Sequence, residues 1–324
     1  MLACATVDHC DVATALGSAP QLAARTQALT ERIINHIARY PELSFVIGGS
    51  KGIFHQTLVT ALPRIPHTSA SVSPGLSLLL PLMRWVLETV IYKPISRQIL
   101  QRAKQERAPK MCESFWKMTA YGSMLLLELS IVHREAWFWR PKDYWVGWPN
   151  QPELPLMRLL FFAQLAYYIS TTFTLALWEV PRSDYWVMQT HHCCTVVLIY
   201  YNYISGYQRW GCLIMMLHDI NDVIMEIAKC LNYAELHAAA NTVFALFVAA
   251  WAGLRLYAFP AILIRSTLFD SVRVLGYTPP HYNLLNSLLC VLCCFHVYWF
   301  GLILRVAYMT LRKGQGEDIR EKED

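Results

Sequence analysis

Seven apolar stretches decide what this chain can fold into. They lie at about 76–95, 114–132, 156–178, 189–205, 208–230, 236–258 and 283–308. Several approach the roughly 20 residues an α-helix needs to cross a bilayer. Lipid offers no water to backbone N–H and C=O groups, so such segments satisfy them internally as helices. The first stretch also holds Arg84 and Glu88, four apart and able to pair on one helix face. The expected fold is an all-α polytopic membrane protein with about seven transmembrane helices. Composition agrees, with 55% hydrophobic and 16% charged residues against about 25% charged in soluble domains. A net charge of +5 suits anionic headgroups or a phosphorylated substrate and argues against a nucleic-acid binder.

Charge placement orients the helices. The loop "SRQILQRAKQERAPK" after the first stretch is strongly basic, and the tail "LRKGQGEDIREKED" after the last also holds basic residues. Basic loops stay cytosolic. Six crossings separate the two, the even number this requires. The loop "WRPKDYWVGWPNQPELP" is then lumenal, its aromatics reading as an interface belt. Residues 1–70 form an N-terminal segment. In it "QLAARTQALTERIINHIARY" has the spacing of an amphipathic helix, through Leu29, Ile33, Ile34 and Ile37, and "LPRIPHTSASVSPG" reads as a linker. The expected division is 1–70, a first transmembrane helix at 76–95, a helical core domain at 111–310 and a charged cytosolic tail at 311–324. The start of the chain lacks the basic n-region and apolar core of a signal peptide. Arg320 and Lys322 sit where a dibasic retrieval signal would place them, although a solvated charged tail reads the same way. Seven of the ten cysteines lie within or beside apolar runs, as packing thiols do.

The stretch "LHDINDVIMEIAK" at 217–229 breaks the apolar pattern. On a helix, Asp219, Asp222, Glu226 and Lys229 fall within roughly 80° of arc, with His218 beside them. Facing lipid, each charge would cost about 2.5–3.5 kcal/mol at the membrane centre. The face is therefore expected to look into a protein cavity, with Lys229 near the cytosolic end. The preceding stretch "QTHHCCTVVLIYYNY" brings His191, His192 and, within reach of either, Thr195. A short connector, "SGYQRWG", makes the two helices antiparallel neighbours. Imidazoles facing carboxylates inside a membrane point to catalysis or proton handling. His and Asp also bind zinc, but no HxxxH or HExxH spacing is present, and no metal is expected. His296 in "CCFHVYWFG" and Trp116 in "ESFWKMTAYG" are further candidates for the cavity wall, or pins between helices. Arg209 reads as a connector residue at the lumenal interface.

These residues carry a resemblance. The block His191–Lys229, "HHCCTVVLIYYNYISGYQRWGCLIMMLHDINDVIMEIAK", resembles the signature of the ceramide synthases within the TLC-domain family, approximately HHxxTxxLI…RxGxLxxxLHDxxDxxLExxK. "ESFWKMTAY", "WPNQPELP", "PRSDYWVMQTHH" and "NSLLCVLCCFHVYWFGLILRVAY" extend the likeness over about 76–313. Gly206, Asn202 and Met225 stand where the family commonly has other residues. The resemblance implies six helices in a bundle or barrel around a lipid-sized cavity, preceded by one extra helix. It implies a multi-pass enzyme of the endoplasmic reticulum membrane, with a cytosolic C-terminus. The implied reaction joins a fatty acyl group from acyl-CoA to the amine of a sphingoid base, giving (dihydro)ceramide. The implied partners are fatty acyl-CoA as co-substrate, the sphingoid base and membrane lipids, with room for a homo- or heterodimer and no cofactor.

The chemistry suits the side chains. Acyl transfer to an amine needs a neutral amine and a stabilised oxyanion. His191 or His192 is expected to take the amine's proton, or to attack the thioester and carry the acyl group. Asp219 and Asp222 would orient imidazoles, stabilise imidazolium and bind the amine or hydroxyls of the sphingoid base, and Thr195 would help position substrate or donate to the oxyanion. His218, Glu226, Lys229, His296, Trp116 and Arg182 complete the candidate substrate-binding set. Arg182, Lys229 and the basic loop with Arg102, Lys104, Arg107 and Lys110 would meet CoA phosphates at the cytosolic mouth. The stretch "RSTLFDSVRVLGYTPPHYN" would close the far end of the acyl cavity. Two alternatives are a non-catalytic TLC-domain lipid-binding or trafficking protein, and an acyltransferase for another lipid amine.

Overall fold

Helix α1, Val72–Leu87, runs through a π-helical turn at Glu88–Tyr92 into α2, Lys93–Ile99. Pro94 stands at the start of α2, where its missing N–H is tolerated, and the helix widens just before it. The computed structural model describes residues 72–100, 102–152, 154–177 and 182–313. The amphipathic helix expected within 1–70, residues 62–71 of the expected linker, and Arg320 and Lys322 of the tail lie outside the described residues; 72–75 of that linker instead open α1. A 3₁₀ segment, Arg102–Arg107, leads into α3, Ala108–Val132. Two 3₁₀ turns, Ala136–Trp139 and Pro141–Tyr144, precede α4, Pro155–Leu177. Then come α5, Tyr185–Ile204, and α6, Gln208–Tyr233. Helix α7, His237–Ala250, continues in π geometry over Trp251–Ile264 and Ser266–Asp270 into α8, Ser271–Leu275. Helix α9 is Tyr282–Lys313.

The described residues are almost wholly helical, with no strand among them. Among the described residues, four helices are long and apolar enough to cross a membrane: Gly75–Ile99, Pro155–Ala176, His237–Leu275 and Tyr282–Arg312. Helices α3, α5 and α6 span 25, 20 and 26 residues, so composition sets them apart, not length. They carry the polar groups that the fold turns inward.

Boundaries depart from the sequence expectation at several places: 96–99 of the expected basic loop belong to α2 and 108–110 to α3, and the largest departure is at the end of the α7 helix. The helix expected to end near 258 continues to Leu275, so most of the stretch expected to close the cavity is helix and only a short connector remains. Its polar residues bond back into the helix: Thr267 donates to the Ile264 carbonyl at 2.8 Å, and Ser271 to the Thr267 carbonyl at 2.5 Å. Pro260 is accommodated by π geometry. Gly276, at φ 76°, adopts the left-handed conformation that ends the helix.

Helices α3, α4, α5, α9, the α7 helix and α6 touch in that order, and α6 closes back onto α3. Helix α6 also meets α4 and α5, so it leans inward and buries Gly211, His218, Asp219, Asn221 and Glu226. Helix α1 packs against α4 and α2 against α3, with Leu78, Leu79, Leu82 and Trp85 exposed. Exposed apolar side chains in such a run suit lipid contact.

The connectors sort to two ends. At one, Lys104 pairs with Glu235, and Arg182 reaches the Glu113 carboxylate at 3.5 Å. At the other, Arg209 donates to the Asp143 carbonyl at 2.9 Å and lies over the Trp137 ring. There Trp148 also donates to the Ser205 carbonyl at 3.0 Å, Tyr207 to the Pro280 carbonyl at 2.7 Å and Trp145 to Ser266 Oγ at 3.1 Å. The aromatics of this loop were expected to form a belt. Trp139 is exposed, but Trp137, Tyr144 and Trp145 are buried. Tyr144 and Trp145 turn inward onto the rings of Tyr207 and Trp210, edge-on or tilted, and Trp137 packs edge-on against Tyr144.

Candidate active site

The site begins with a close approach. Gly211 on α6 has no side chain, and a Cβ there would stand 2.5 Å from Phe161 of α4 and 3.1 Å from Asn202 of α5. Three helices thereby converge around a cavity with about 500 Å³ of empty space, part of it open to the outside. Leu198, Ile199, Met215, Leu289 and Leu292 make its apolar walls, and Gln164, Tyr168, His191, Thr195, His218 and Asp219 face it. Few polar groups in an apolar cleft is the usual constitution of a small-molecule site.

His191 stands 5.2 Å between ring centroids from Trp299, edge-on, and near Tyr168, Phe295 and His192. Its Nδ1 has no hydrogen-bond partner among the described residues. His192 faces Tyr168, 5.8 Å between centroids, and does not line the cavity. Thr195 does, but its hydroxyl donates to the His191 carbonyl at 2.8 Å. With its one proton committed to α5, Thr195 is an acceptor here, not the oxyanion donor expected from sequence.

His218 is held at both nitrogens, Nδ1 at 2.6 Å from the Ile214 carbonyl and Nε2 at 2.9 Å from Nε2 of His296. A carbonyl only accepts, so Nδ1 carries the proton and His218 Nε2 accepts from His296. His296 is fully buried behind His218 and does not line the cavity. Its link to the cavity therefore passes through His218.

The charged face of α6 was expected to look into one cavity. The structure divides it instead, because α6 meets a different neighbour on each side. Asp219 lines the cavity and accepts from Gln164 of α4 at 2.6 Å, and the same amide lies 3.4 Å from Glu128 of α3. Asp222 turns to Arg255, 2.6 Å away, in the π-helical part of the α7 helix. Glu226, fully buried, pairs with Lys229 at 2.8 Å. Trp116 is buried within the main apolar core and away from the cavity, while Lys117, beside it, contacts Glu113. Arg182 shares that Glu113 carboxylate.

Sequence reasoning passed over Glu128, Gln164, Tyr168 and Arg255. Glu128 in "MLLLELSIV" and Arg255 in "WAGLRLYAF" are lone charges in apolar runs, a signal as sound as the aspartates of α6. Gln164 and Tyr168 carried none, since such residues are ordinary at a helix interface.

The family model describing the TLC domain matches residues 110–305. The chain belongs to the TLC-domain family. Among curated relatives, ASC1-like protein 3 of Oryza sativa subsp. japonica is 35% identical over 252 residues, 73% of this chain and 89% of that protein. Ceramide synthase LOH2 of Arabidopsis thaliana is 34% identical over 254 residues, 74% of this chain and 86% of its own. Ceramide synthase 5 of Homo sapiens is 34% identical over 219 residues, 66% of this chain and 55% of its own. Every side chain described at the cavity lies inside the matched TLC domain, and α1 and α2 precede it.

Proposed function

We propose that this TLC-domain protein is a ceramide synthase, transferring the acyl group of a fatty acyl-CoA to the amine of a sphingoid base. The observation that carries the site assignment is His191, an imidazole with an unpartnered nitrogen, lining the same apolar cavity as Asp219. In the reaction the C–S bond of the thioester breaks, an N–C bond forms, CoA leaves as the thiol and the amine gives up a proton.

His191 is the reacting imidazole in this reading. As a nucleophile it would take the acyl group, release CoA and then be displaced by the amine. As a base it would take the amine's proton during direct attack. Asp219 offers a carboxylate to the amine or the hydroxyls of the sphingoid base. His192 and Asp222 stand just outside the cavity and support it. CoA phosphates would meet Lys117, Arg182, Lys229 and the loop from Arg102 to Lys110, all toward the end where Lys104 meets Glu235. The acyl chain would run along Leu198, Ile199 and Leu289 toward Trp145 and Tyr207, where a second cavity continues the first. No step is routed through a metal or other cofactor.

We further read all seven apolar segments as crossing the endoplasmic reticulum membrane, with six arranged around the lipid cavity and the C-terminus in the cytosol. Residues 111–310 are the catalytic domain, 76–95 an added helix, 1–70 an N-terminal segment and 311–324 a charged tail.

The test is a microsomal assay with sphinganine and a panel of acyl-CoAs. The wild type is expected to form amide, and His191→Ala to lose at least about 100-fold, with His192→Ala and Asp222→Asn also impaired. Undiminished product in all three variants would refute the site. An inactive wild type would favour a lipid-binding or trafficking role. Product only with another lipid amine would change the substrate. Intact mass after acyl-CoA alone separates the two roles of His191: an added acyl group marks the nucleophile, and its absence the base.

A further inference from the structure

Arg255 is the one arginine buried among the described residues, at 4% exposure. It sits in a helix otherwise apolar enough to cross a membrane. Such a charge is retained only where specific partners hold it. One terminal nitrogen of its guanidinium donates to the His218 carbonyl at 3.0 Å and to Asp222 Oδ1 at 2.6 Å. The two acceptors lie one turn apart on α6. Its Cζ lies over the Trp251 ring, 4.2 Å from the centroid. Trp251 in turn donates to the His296 carbonyl at 3.2 Å, and His296 bonds the ring of His218. The chain of contacts from Arg255 thus closes on His218 from two directions. The π geometry of Trp251–Ile264 is a wider turn of the kind found at functional positions.

We propose that Arg255 is a positioning residue for the acyl-transfer reaction, gripping the α6 backbone at His218 and pairing with the Asp222 carboxylate one turn further on. This rests on the ceramide synthase reading. The grip fixes the face of α6 that presents His218 and Asp219 to the cavity. Asp222 does not line the cavity, so its pairing with Arg255 holds that face of α6 from outside it. Arginine is suited to this because its planar, delocalised cation can stack on an indole while its nitrogens bond both acceptors. Lysine offers a single point charge.

The experiment is a double-mutant cycle in kcat per folded enzyme, using full-length protein purified in detergent, with sphinganine and acyl-CoA as substrates. The variants are Arg255→Met, Asp222→Asn and the two combined. Each single change is expected to lower kcat about 100-fold, and the double to be no worse than either, because the two side chains act as one unit. Arg255→Lys is expected to lose about 10-fold, keeping the charge without the stacked fork. A merely structural ion pair gives another pattern, since removing both charges together would restore kcat toward the wild type. That recovery overturns the proposal, as does Arg255→Met at wild-type kcat, or losses that multiply in the double. If Arg255→Met yields no monodisperse protein, the cycle is run with Arg255→Lys and judged by the same outcomes. A wild type that forms no ceramide overturns the functional reading and this inference together. An active wild type with any of the contrary cycles overturns this inference alone.

Discussion

At the scale of single residues, the cavity distinguishes side chains that sequence treats as equals. His191 and His192 are adjacent, and nothing in the letters ranks them. A helix sends neighbours about 100° apart, so only one can look inward once α5 is docked, and it is His191. Thr195 makes the converse point. Its hydroxyl is bonded to its own helix, so Thr195→Val, which preserves shape, is expected to change kcat less than about 3-fold. Loss of a true oxyanion donor would cost about 10²–10³, and steady-state kinetics on the purified variant separates the two. Gln164 holds the opposite position. One amide nitrogen serves Asp219 and lies within reach of Glu128, and Gln164→Leu would leave two buried carboxyls short of a donor. A loss of about 1–3 kcal/mol in stability and at least about 10-fold in kcat is expected, read by thermal melting in detergent beside the amide assay.

At the scale of elements, apolar runs and helix spacing made the helices readable, because each run must satisfy its own backbone in lipid. What the runs did not carry was how far a helix continues past its apolar part. Ser266, Thr267, Asp270 and Ser271 read as loop, yet Thr267 and Ser271 donate back to helix carbonyls, and the helix reaches Leu275. The candidate site was legible to the same degree. Charge in an apolar context identified His191, His218, Asp219 and Asp222 as residues that need a protein surrounding. Their separate destinations depend on which helix packs where, and a wheel drawn for α6 alone holds no such information. Gly211 is the element-level hinge of that packing. With a methyl at this position Phe161, itself buried, has to move off α6. Gly211→Ala is expected to destabilise the bundle by about 1–3 kcal/mol, as overpacking does, and to shift acyl-chain preference because Phe161 is part of the cavity wall. Melting in detergent and a competition assay among acyl-CoAs of several lengths measure both effects.

At the scale of the whole molecule, the connector contacts constrain topology independently of hydropathy. The segment holding Lys104 meets the α6–α7 connector at Glu235, and Arg182, between α4 and α5, meets the start of α3 at Glu113. These belong to one end. The loop after α3, the α5–α6 connector and the segment before α9 meet one another at the other. From the Lys104 segment to Glu235 the chain runs through α3, α4, α5 and α6, an even number, as a shared end requires. The parity does not depend on how apolar each helix is, and it has α3, α4, α5 and α6 each run from one end of the bundle to the other. The Lys104 ammonium beside Glu235 holds that carboxyl below the usual carboxylate range. The pairing is therefore kept at neutral pH and is lost only as pH falls through the lowered value. N-glycosylation acceptors carried on short flexible inserts test the arrangement in microsomes. Inserts at Lys142 and Tyr277 are expected to be glycosylated, and inserts at Lys104 and Glu235 to remain unmodified. Modification of one member of either pair without the other would break the parity. It would also remove the ground for setting CoA-facing basic residues and the catalytic cavity on one continuous path.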